Sequence, residues 1–360
     1  VLYDGEGTLT YSLGATKLSG VPGRDLIAVA DTGNVLLTIS RTDPSGSNNY
    51  IRNIRVVRQE LESQLSTVTF NPKWVAKLTP FRTLRFMDWM QTNFSTQQDF
   101  ANRPLVTDAR YTSPKGVPLE VMVQLANTVM AETWFTLPHR ATDDYMTQFA
   151  TKVRDTLDSH LNVYVEYSNE VWNGAFDQGA EIESWAQTEF PGGGDSGFTK
   201  RINWHGKRTA DMCRIWKSVF GSQAQRVVCV LGAQAANSWT ASEALDCPLW
   251  QADVNNPNPG VSCQRLGIDA VAIAPYFGGY LGDPSINQQV RTLSVDQLFR
   301  EITTGGVIVD PNPGDWFVIP RNGALSEAYG WMNAYDSLGA SKSVRILAYE
   351  GGQHLVGVGS

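Results

Sequence analysis

The chain has 360 residues, of which 42% are hydrophobic and 18% are charged, a composition typical of a folded protein and not of a disordered one. Its formal net charge of −7 argues against a nucleic-acid partner, because phosphate binding needs a basic face. No apolar run approaches the roughly 20 residues that a membrane span requires, so we expect no membrane partner either.

Residues 1–57 show the pattern of a small antiparallel β module. Four short alternating runs (TLTYSL, DLIAVA, VLLTIS and YIRNIRVV) are separated by turn clusters such as SGVPGRD and DPSGSNN. The chain opens with VLYDGEGTLTY, which reads as the middle of a β region. We therefore expect the first residues of the natural protein to be absent.

Residues 58–360 alternate between buried strands and amphipathic helices. The clearest helix has Tyr145, Phe149, Val153 and Leu157 at intervals of four, behind the capping candidate Thr142. Other helices are predicted at 117–129, ending near 219, and at 323–336. The predicted strands are TLRFMD (83–88), TWFTLP (133–138), NVYVEY (162–167), RVVCVL (226–231), DAVAIA (269–274) and VRILAY (344–349).

Alternating strands and helices indicate a parallel sheet, and this many units favours an α/β fold of the (β/α)8 TIM barrel type. Only six barrel strands are predicted, so we expect the first and last units to be missing from this chain. In the alternative interpretation, strands of the β module close the barrel. The predicted organisation is therefore a β module at 1–57 and a catalytic barrel, incomplete in this chain, at 58–360.

Four cysteines are present. Cys247 and Cys263 flank a polar loop that a disulfide between them would staple, and Cys213 and Cys229 are candidates for a second pair. Four unpaired buried thiols are the alternative. An even count in a loop-rich acidic protein favours an oxidising compartment, so a secreted or periplasmic location is expected. No cysteine spacing resembles a zinc site.

The candidate catalytic residues lie where the predicted strands end, which is the position of active sites in such barrels. Asn169 and Glu170 follow 162–167, and Glu350 follows 344–349. Two glutamates at opposite sides of a barrel mouth suit double-displacement hydrolysis of a glycoside: one carboxylate attacks the anomeric carbon while the other protonates the leaving oxygen. Arg85 is a candidate for holding Glu350 ionised, and Tyr276 is a candidate for hydrogen bonding to it.

If one strand is missing at the front, the strand at 162–167 is the fourth of the barrel and the strand at 344–349 is the seventh. An Asn-Glu pair after the fourth strand and a Glu after the seventh resemble the pattern of the clan A retaining glycoside hydrolases. That resemblance implies that Glu170 is the acid/base and Glu350 the nucleophile, and that Asn169 binds the 2-hydroxyl group of the sugar. Arg85 and Tyr276 match the usual partners of the nucleophile, and His139 matches a common subsite residue. Nearly the whole chain also resembles bacterial secreted proteins labelled cellulose-binding.

Two departures from the family pattern stand out. The usual Asn-Glu-Pro is Asn-Glu-Val here. The missing eighth strand usually carries a tryptophan that floors the subsite of the cleaved sugar, which puts the activity of this chain as it stands in doubt.

Several candidate residues also have structural interpretations. Glu170 and Glu350 are alternatively loop carboxylates, and Arg85 is alternatively the buried partner of Glu166, which strand alternation turns into the barrel as a structural carboxylate. Trp172 and Trp89 are either sugar platforms or core residues. His139 and His354 lack neighbours with metal-ligand spacing, so no metal and no cofactor is expected.

The sequence therefore predicts a retaining glycoside hydrolase acting on a β-linked polysaccharide or oligosaccharide, either β-glucan of the cellulose type or xylan. The alternatives are a non-catalytic carbohydrate-binding protein built on a glycosidase barrel, and a structural or adhesion role led by the β module. The oligomeric state is left open.

Overall fold

A computed structural model describes residues 1–30, 33–192, 194–310 and 319–356. The chain divides into two compact units, Val1–Lys77 and Leu78–Ser360. The first unit therefore continues past the predicted boundary at residue 57. Beyond residue 57, Arg24 holds Glu62 through two hydrogen bonds of 2.6 and 2.7 Å, which ties the 3-10 helix Gln59–Gln64 to the β module.

The first unit is an antiparallel β module, as predicted. Helix α1 spans Pro72–Leu78, and all but its last residue belong to the first unit. Its strands are β1 (Leu2–Asp4), β2 (Gly7–Leu13), β3 (Ala15–Val21), β4 (Arg24–Val29), β5 (Val35–Thr42) and β6 (Arg52–Arg55). They form a sheet of order β3-β4-β1-β6 and a hairpin-like pair β2-β5. Because β1 to β6 form sheets of their own in the described part of the chain, the alternative in which they close the barrel is wrong.

The second unit carries the parallel sheet. Its strands are β7 (Thr83–Arg85), β8 (Glu132–Leu137), β9 (Val163–Tyr167), β10 (Val227–Gly232), β11 (Ala270–Ile273), β12 (Tyr276–Phe277), β13 (Arg345–Ala348) and β14 (Gly352–Gln353). Six of them pair in the order β13-β11-β10-β9-β8-β7, all parallel, while β12 and β14 form a short separate pair. All six predicted barrel strands are therefore confirmed, although the first is shorter than predicted.

Helices connect these strands. They are α2 (Leu119–Val129), α3 (Asp143–Thr156), α4 (Asp177–Glu189), α5 (Gly197–Phe220), α6 (Trp239–Asp246), α7 (Pro248–Gln251), α8 (Asn287–Val290), α9 (Val295–Thr304) and α10 (Ala324–Lys342). The Thr142 side chain accepts a hydrogen bond from the backbone N–H of Tyr145, which confirms the predicted cap of α3. Few apolar residues mark the buried face of α4, so hydrophobic periodicity indicates this helix only weakly. None of the helices in the described ranges is long and apolar enough to cross a membrane.

The six-stranded sheet is strongly curled. Strands β7 and β13 form its two edges, and in a flat sheet five steps of about 4.8 Å would hold them about 24 Å apart. Instead the guanidinium of Arg85, at the end of β7, lies 3.0 Å from the carboxylate of Glu350, just after β13. The second unit is thus a partial barrel, and a closed barrel of eight strands is not formed by the described residues.

The concave side of the sheet holds an apolar core. Its buried members come from β8, β10, β11 and the exit of β13, and they are Trp134, Val228, Val230, Ala270, Ala272 and Tyr349. Small alanines on β11 face bulky rings from β8 and from the exit of β13, as close packing of a narrow interior requires. This core lies directly beneath the strand exits.

One of the two candidate disulfides is present and the other is not. Cys247 and Cys263 are bonded, which links the end of α6 to the loop before β11. Cys213 and Cys229 are buried free thiols, so for this pair the alternative of unpaired buried thiols holds. Burial raises the pKa of the Cys213 thiol well above its usual value, and this disfavours the thiolate through which disulfides form.

Candidate active site at the strand exits

The carboxyl ends of the parallel strands bring distant parts of the sequence together. Arg85 ends β7, Asn169 and Glu170 follow β9, Tyr276 begins β12, and Glu350 follows β13. All five were predicted from the sequence. One set of hydrogen bonds joins Arg85, Asn169, Tyr276 and Glu350, and Glu170 bonds instead to Tyr349, whose ring lies against Arg85. The cluster is possible only because the sheet curls, since Arg85 and Glu350 are separated by 265 positions in the chain.

Arg85 is the centre of this cluster. Its Nη1 donates to Glu350 Oε1 at 3.0 Å, and its Nη2 donates to Glu166 Oε2 at 3.1 Å and to Asn169 Oδ1 at 2.9 Å. Its guanidinium also lies 4.9 Å from the ring centroid of Tyr349. Burial acts against the charged form, but the carboxylates of Glu166 and Glu350 outweigh it and raise the pKa of Arg85. Arg85 therefore contacts Glu166 and Glu350 at once.

Glu350 receives a second donor on its other oxygen. The Tyr276 hydroxyl donates to Glu350 Oε2 at 2.6 Å, so each oxygen of this carboxylate is held by a different residue. Burial, followed by the hydrogen bond to Glu350 and the charge of Glu170, raises the pKa of Tyr276 to about 12. The phenol therefore stays protonated and acts as a donor. The Glu350 side chain remains 33% exposed, which leaves the carboxylate open to a ligand.

Glu170 is held by neutral donors. Its Oε1 accepts from the Tyr349 hydroxyl at 2.9 Å, and its Oε2 accepts from Asn173 Nδ2 at 2.8 Å. Burial first, and then Glu170, raise the pKa of Tyr349, so this phenol too is a donor. The chain turns sharply here, since Ser168 and Glu170 both have positive φ angles of 60° and 45°. Such backbone is uncommon outside glycine and concentrates at functional sites.

Glu166 differs from these two glutamates. Its residue is 1% exposed, and its Oε2 accepts from Arg85 and, at 2.9 Å, from Trp134 Nε1. Burial raises the pKa of its carboxyl, against the opposing effect of Arg85. The prediction of a buried carboxylate that points into the sheet interior is confirmed.

Asn169 is held by residues that the sequence did not reveal. Its Nδ2 donates to Asn93 Oδ1 at 3.1 Å, and its carbonyl accepts from Gln178 Nε2 at 3.1 Å. Gln178 is fully buried on α4 and also donates to Asn93 at 2.7 Å. Tyr349 was missed as well, although its position directly before Glu350 at a strand exit was a usable signal.

Three predicted site residues make their contacts elsewhere. His139 bonds to Glu181 at 2.9 Å and stacks on Trp185. Trp172 is half-buried, and its backbone carbonyl accepts a hydrogen bond from Arg201 Nη2. Trp89 packs on Phe86 with ring centroids 5.7 Å apart. Phe86 in turn stacks on the buried Phe135, so Trp89 is part of a row of aromatic rings that leads into the core.

The described residues contain no group of three or more histidine, cysteine, aspartate or glutamate side chains that could hold a metal ion. Comparisons with protein-family models, curated proteins and solved structures found no match for this chain.

Proposed function

We propose that the chain is a retaining glycoside hydrolase that cleaves a β-linked polysaccharide, with Glu350 as nucleophile and Glu170 as acid/base. The observation that carries the proposal is the unequal support of the two carboxylates. Glu350 receives the charged guanidinium of Arg85, whereas Glu170 receives only the neutral donors Tyr349 and Asn173. We assign the carboxylate beside the fixed positive charge as nucleophile, and the carboxylate contacted only by neutral groups as acid/base.

The proposed reaction has two displacements. In the first, Glu350 donates an electron pair to the anomeric carbon as the glycosidic C–O bond breaks, and Glu170 transfers its proton to the departing oxygen. In the second, Glu170 takes a proton from water, whose oxygen attacks the same carbon and releases Glu350. Two inversions at one carbon give a product with the starting configuration.

The other cluster residues have positioning roles in this proposal. Arg85 and Tyr276 fix the two oxygens of Glu350, so that one lone pair is aimed at the substrate. Asn169, held by Arg85 and Asn93, is placed to contact a sugar hydroxyl beside the nucleophile. The substrate class proposed from the family resemblance is β-glucan of the cellulose type or xylan. The same resemblance makes the curled sheet six units of an eight-unit barrel, and with the Cys247–Cys263 disulfide it favours a secreted or periplasmic location.

Reducing-sugar release from β-glucans, xylan and mannan tests the proposal. Glu350→Gln and Glu170→Gln should each abolish release by several orders of magnitude on the same polymer. Glu183→Gln is the matched control, because its side chain has the same 33% exposure as that of Glu350 but lies on α4. NMR of the first-formed product should show the anomeric configuration of the substrate.

A dinitrophenyl glycoside separates the two roles. This leaving group departs without protonation, so Glu170→Gln should still release dinitrophenolate in the first step, while Glu350→Gln should not. If no polymer or aryl glycoside is hydrolysed, and polysaccharide still binds equally to the parent and both variants, the enzyme proposal fails. A carbohydrate-binding protein on a glycosidase-like scaffold would then remain.

A further inference from the structure

A second groove lies on the other side of the β9 strand from the catalytic cluster. Residues 166 and 167 point to opposite faces of a strand, and Glu166 bonds to Arg85 whereas Tyr167 packs near His205 of α5. Tyr167 lines a groove of about 570 Å³ together with residues of α4, of α5 and of the segment after β8. This volume is within the range of small-ligand sites.

The groove combines two indole rings with a planar polar group. Trp185 and Trp204 both line it, with ring centroids 6.0 Å apart. The His139 ring stacks on Trp185 at 5.7 Å with an interplanar angle of 21°, which fixes the orientation of that indole. An oriented, half-buried indole offers a flat apolar face at little cost in conformational entropy.

The polar group consists of His139, Glu181 and Arg140. Glu181 accepts from Arg140 Nε at 2.8 Å, from Arg140 Nη2, and from His139 Nε2 at 2.9 Å. The hydrogen bond from Arg140 is the largest factor that lowers the pKa of Glu181 to about 2, so this carboxylate only accepts. His139 must then donate through Nε2. Burial lowers the pKa of His139, and the neutral ring keeps a lone pair on Nδ1.

That lone pair is buried and has no partner among the described residues. Arg140 is 36% exposed at its side chain, and its described bonds use two of the five N–H donors of a guanidinium. Arg140 thus brings several unused donors to the groove beside an apolar ring face, and the unpaired Nδ1 of His139 lies beneath the groove surface. A pyranose presents this complement, because its C–H face is apolar and its hydroxyls both donate and accept.

We propose that this groove is a second saccharide-binding site, separate from the carboxylate cluster, in which Trp185 stacks on a sugar ring and Arg140 binds its hydroxyls. The ligand class is argued from the groove alone, and the proposed function enters only in the choice of β-linked probes. Such a site would hold one stretch of a polysaccharide on the protein while another stretch of the same polysaccharide occupies the strand exits.

Isothermal titration of the full chain with cellohexaose, xylohexaose and mannohexaose tests this proposal. The background is Glu350→Gln, so that no probe is cleaved. We expect two binding events for one of these probes. Adding Ser184→Arg, which fills the groove from an exposed position on α4, should remove one of them. Adding Trp185→Ala should weaken the same event about tenfold or more.

Trp239→Ala is the matched control, because Trp239 is 40% exposed on α6 and lies outside the groove lining. It should bind like the background. Unchanged stoichiometry and affinity in both groove variants, or no binding of any hexasaccharide, would overturn the inference. Loss of one event in the groove variants together with absent hydrolysis in the parent would overturn only the proposed function.

Discussion

Replacing Arg85 with methionine should destabilise the protein in a pH-dependent way. Methionine keeps much of the side-chain volume but removes the three described hydrogen bonds to Glu166, Asn169 and Glu350. Glu166 is the costly partner, since it is 1% exposed and would keep only the indole N–H of Trp134. Removing one member of a buried ion pair typically costs about 3–5 kcal/mol, and we expect this loss at pH 8.

The pH dependence follows from Glu166. Burial already raises the pKa of this carboxyl above its usual value of 4.5, against the opposing effect of Arg85. Without Arg85, the pKa in the folded state rises further. A group whose pKa is raised on folding stabilises the protein below its unfolded pKa, and that stability is lost as pH rises through the folded pKa. The destabilisation of the variant should therefore be small near pH 4.5 and full near pH 8.

Urea denaturation followed by tryptophan fluorescence measures this effect in the second unit, which contains every tryptophan except Trp74. The double variant Arg85→Met with Glu166→Gln should recover most of the loss, since the neutral amide needs no counter-charge. Arg214→Met, at a side chain 64% exposed on α5, should change the free energy of unfolding by at most about 0.5 kcal/mol. A loss below about 1 kcal/mol at pH 8, or an equal loss at both pH values, would refute the reasoning.

Three further predictions concern other parts of the chain. Tyr276→Phe removes a hydrogen bond of 2.6 Å to Glu350, the proposed nucleophile. A bond to a charged group contributes about 1.5–3 kcal/mol, so kcat/KM for the proposed hydrolysis should fall about 10- to 100-fold; an unchanged value would exclude the positioning role. Replacing Cys247 and Cys263 by serine opens a link across a sequence separation of 16 and should cost about 3 kcal/mol of unfolding free energy, while thiol titration of the parent should find two reactive thiols only after unfolding. Thr142→Ala removes the cap of α3, whose hydroxyl accepts from Tyr145 at 3.1 Å, and should cost about 1 kcal/mol in the same denaturation assay.

The sequence by itself determined the strands and the residues at their exits. Apolar runs such as NVYVEY and DAVAIA are long enough and isolated enough to be buried strands, and they appear as β9 and β11. Since parallel strands place their carboxyl ends at one edge, the positions of Glu170 and Glu350 followed from local pattern alone. Alternation along β9 likewise predicted that Glu166 is buried, and its exposure of 1% confirms this.

The tertiary structure decided which side chains share a contact. His139 and Asn169 both follow strands in the sequence, yet His139 turns to Glu181 on α4 while Asn169 joins Arg85. Local pattern cannot separate these outcomes, because they depend on helices packed from distant parts of the chain. Gln178 is a further case, since a polar residue on a weakly patterned helix became a fully buried support of Asn169 only through long-range packing.

The curl of the sheet is the other feature that depends on the tertiary structure. Hydrophobic periodicity specifies strands and their faces, but the closure of a sheet depends on the cumulative twist of neighbouring strands and on what packs inside. Here the rings of Trp134 and Tyr349 against the alanines of β11 bring the two edge strands near enough for Arg85 to reach Glu350. The order of the strands along the chain does not predict how close the two edge strands lie, because the distance between sheet edges is a property of the packed interior.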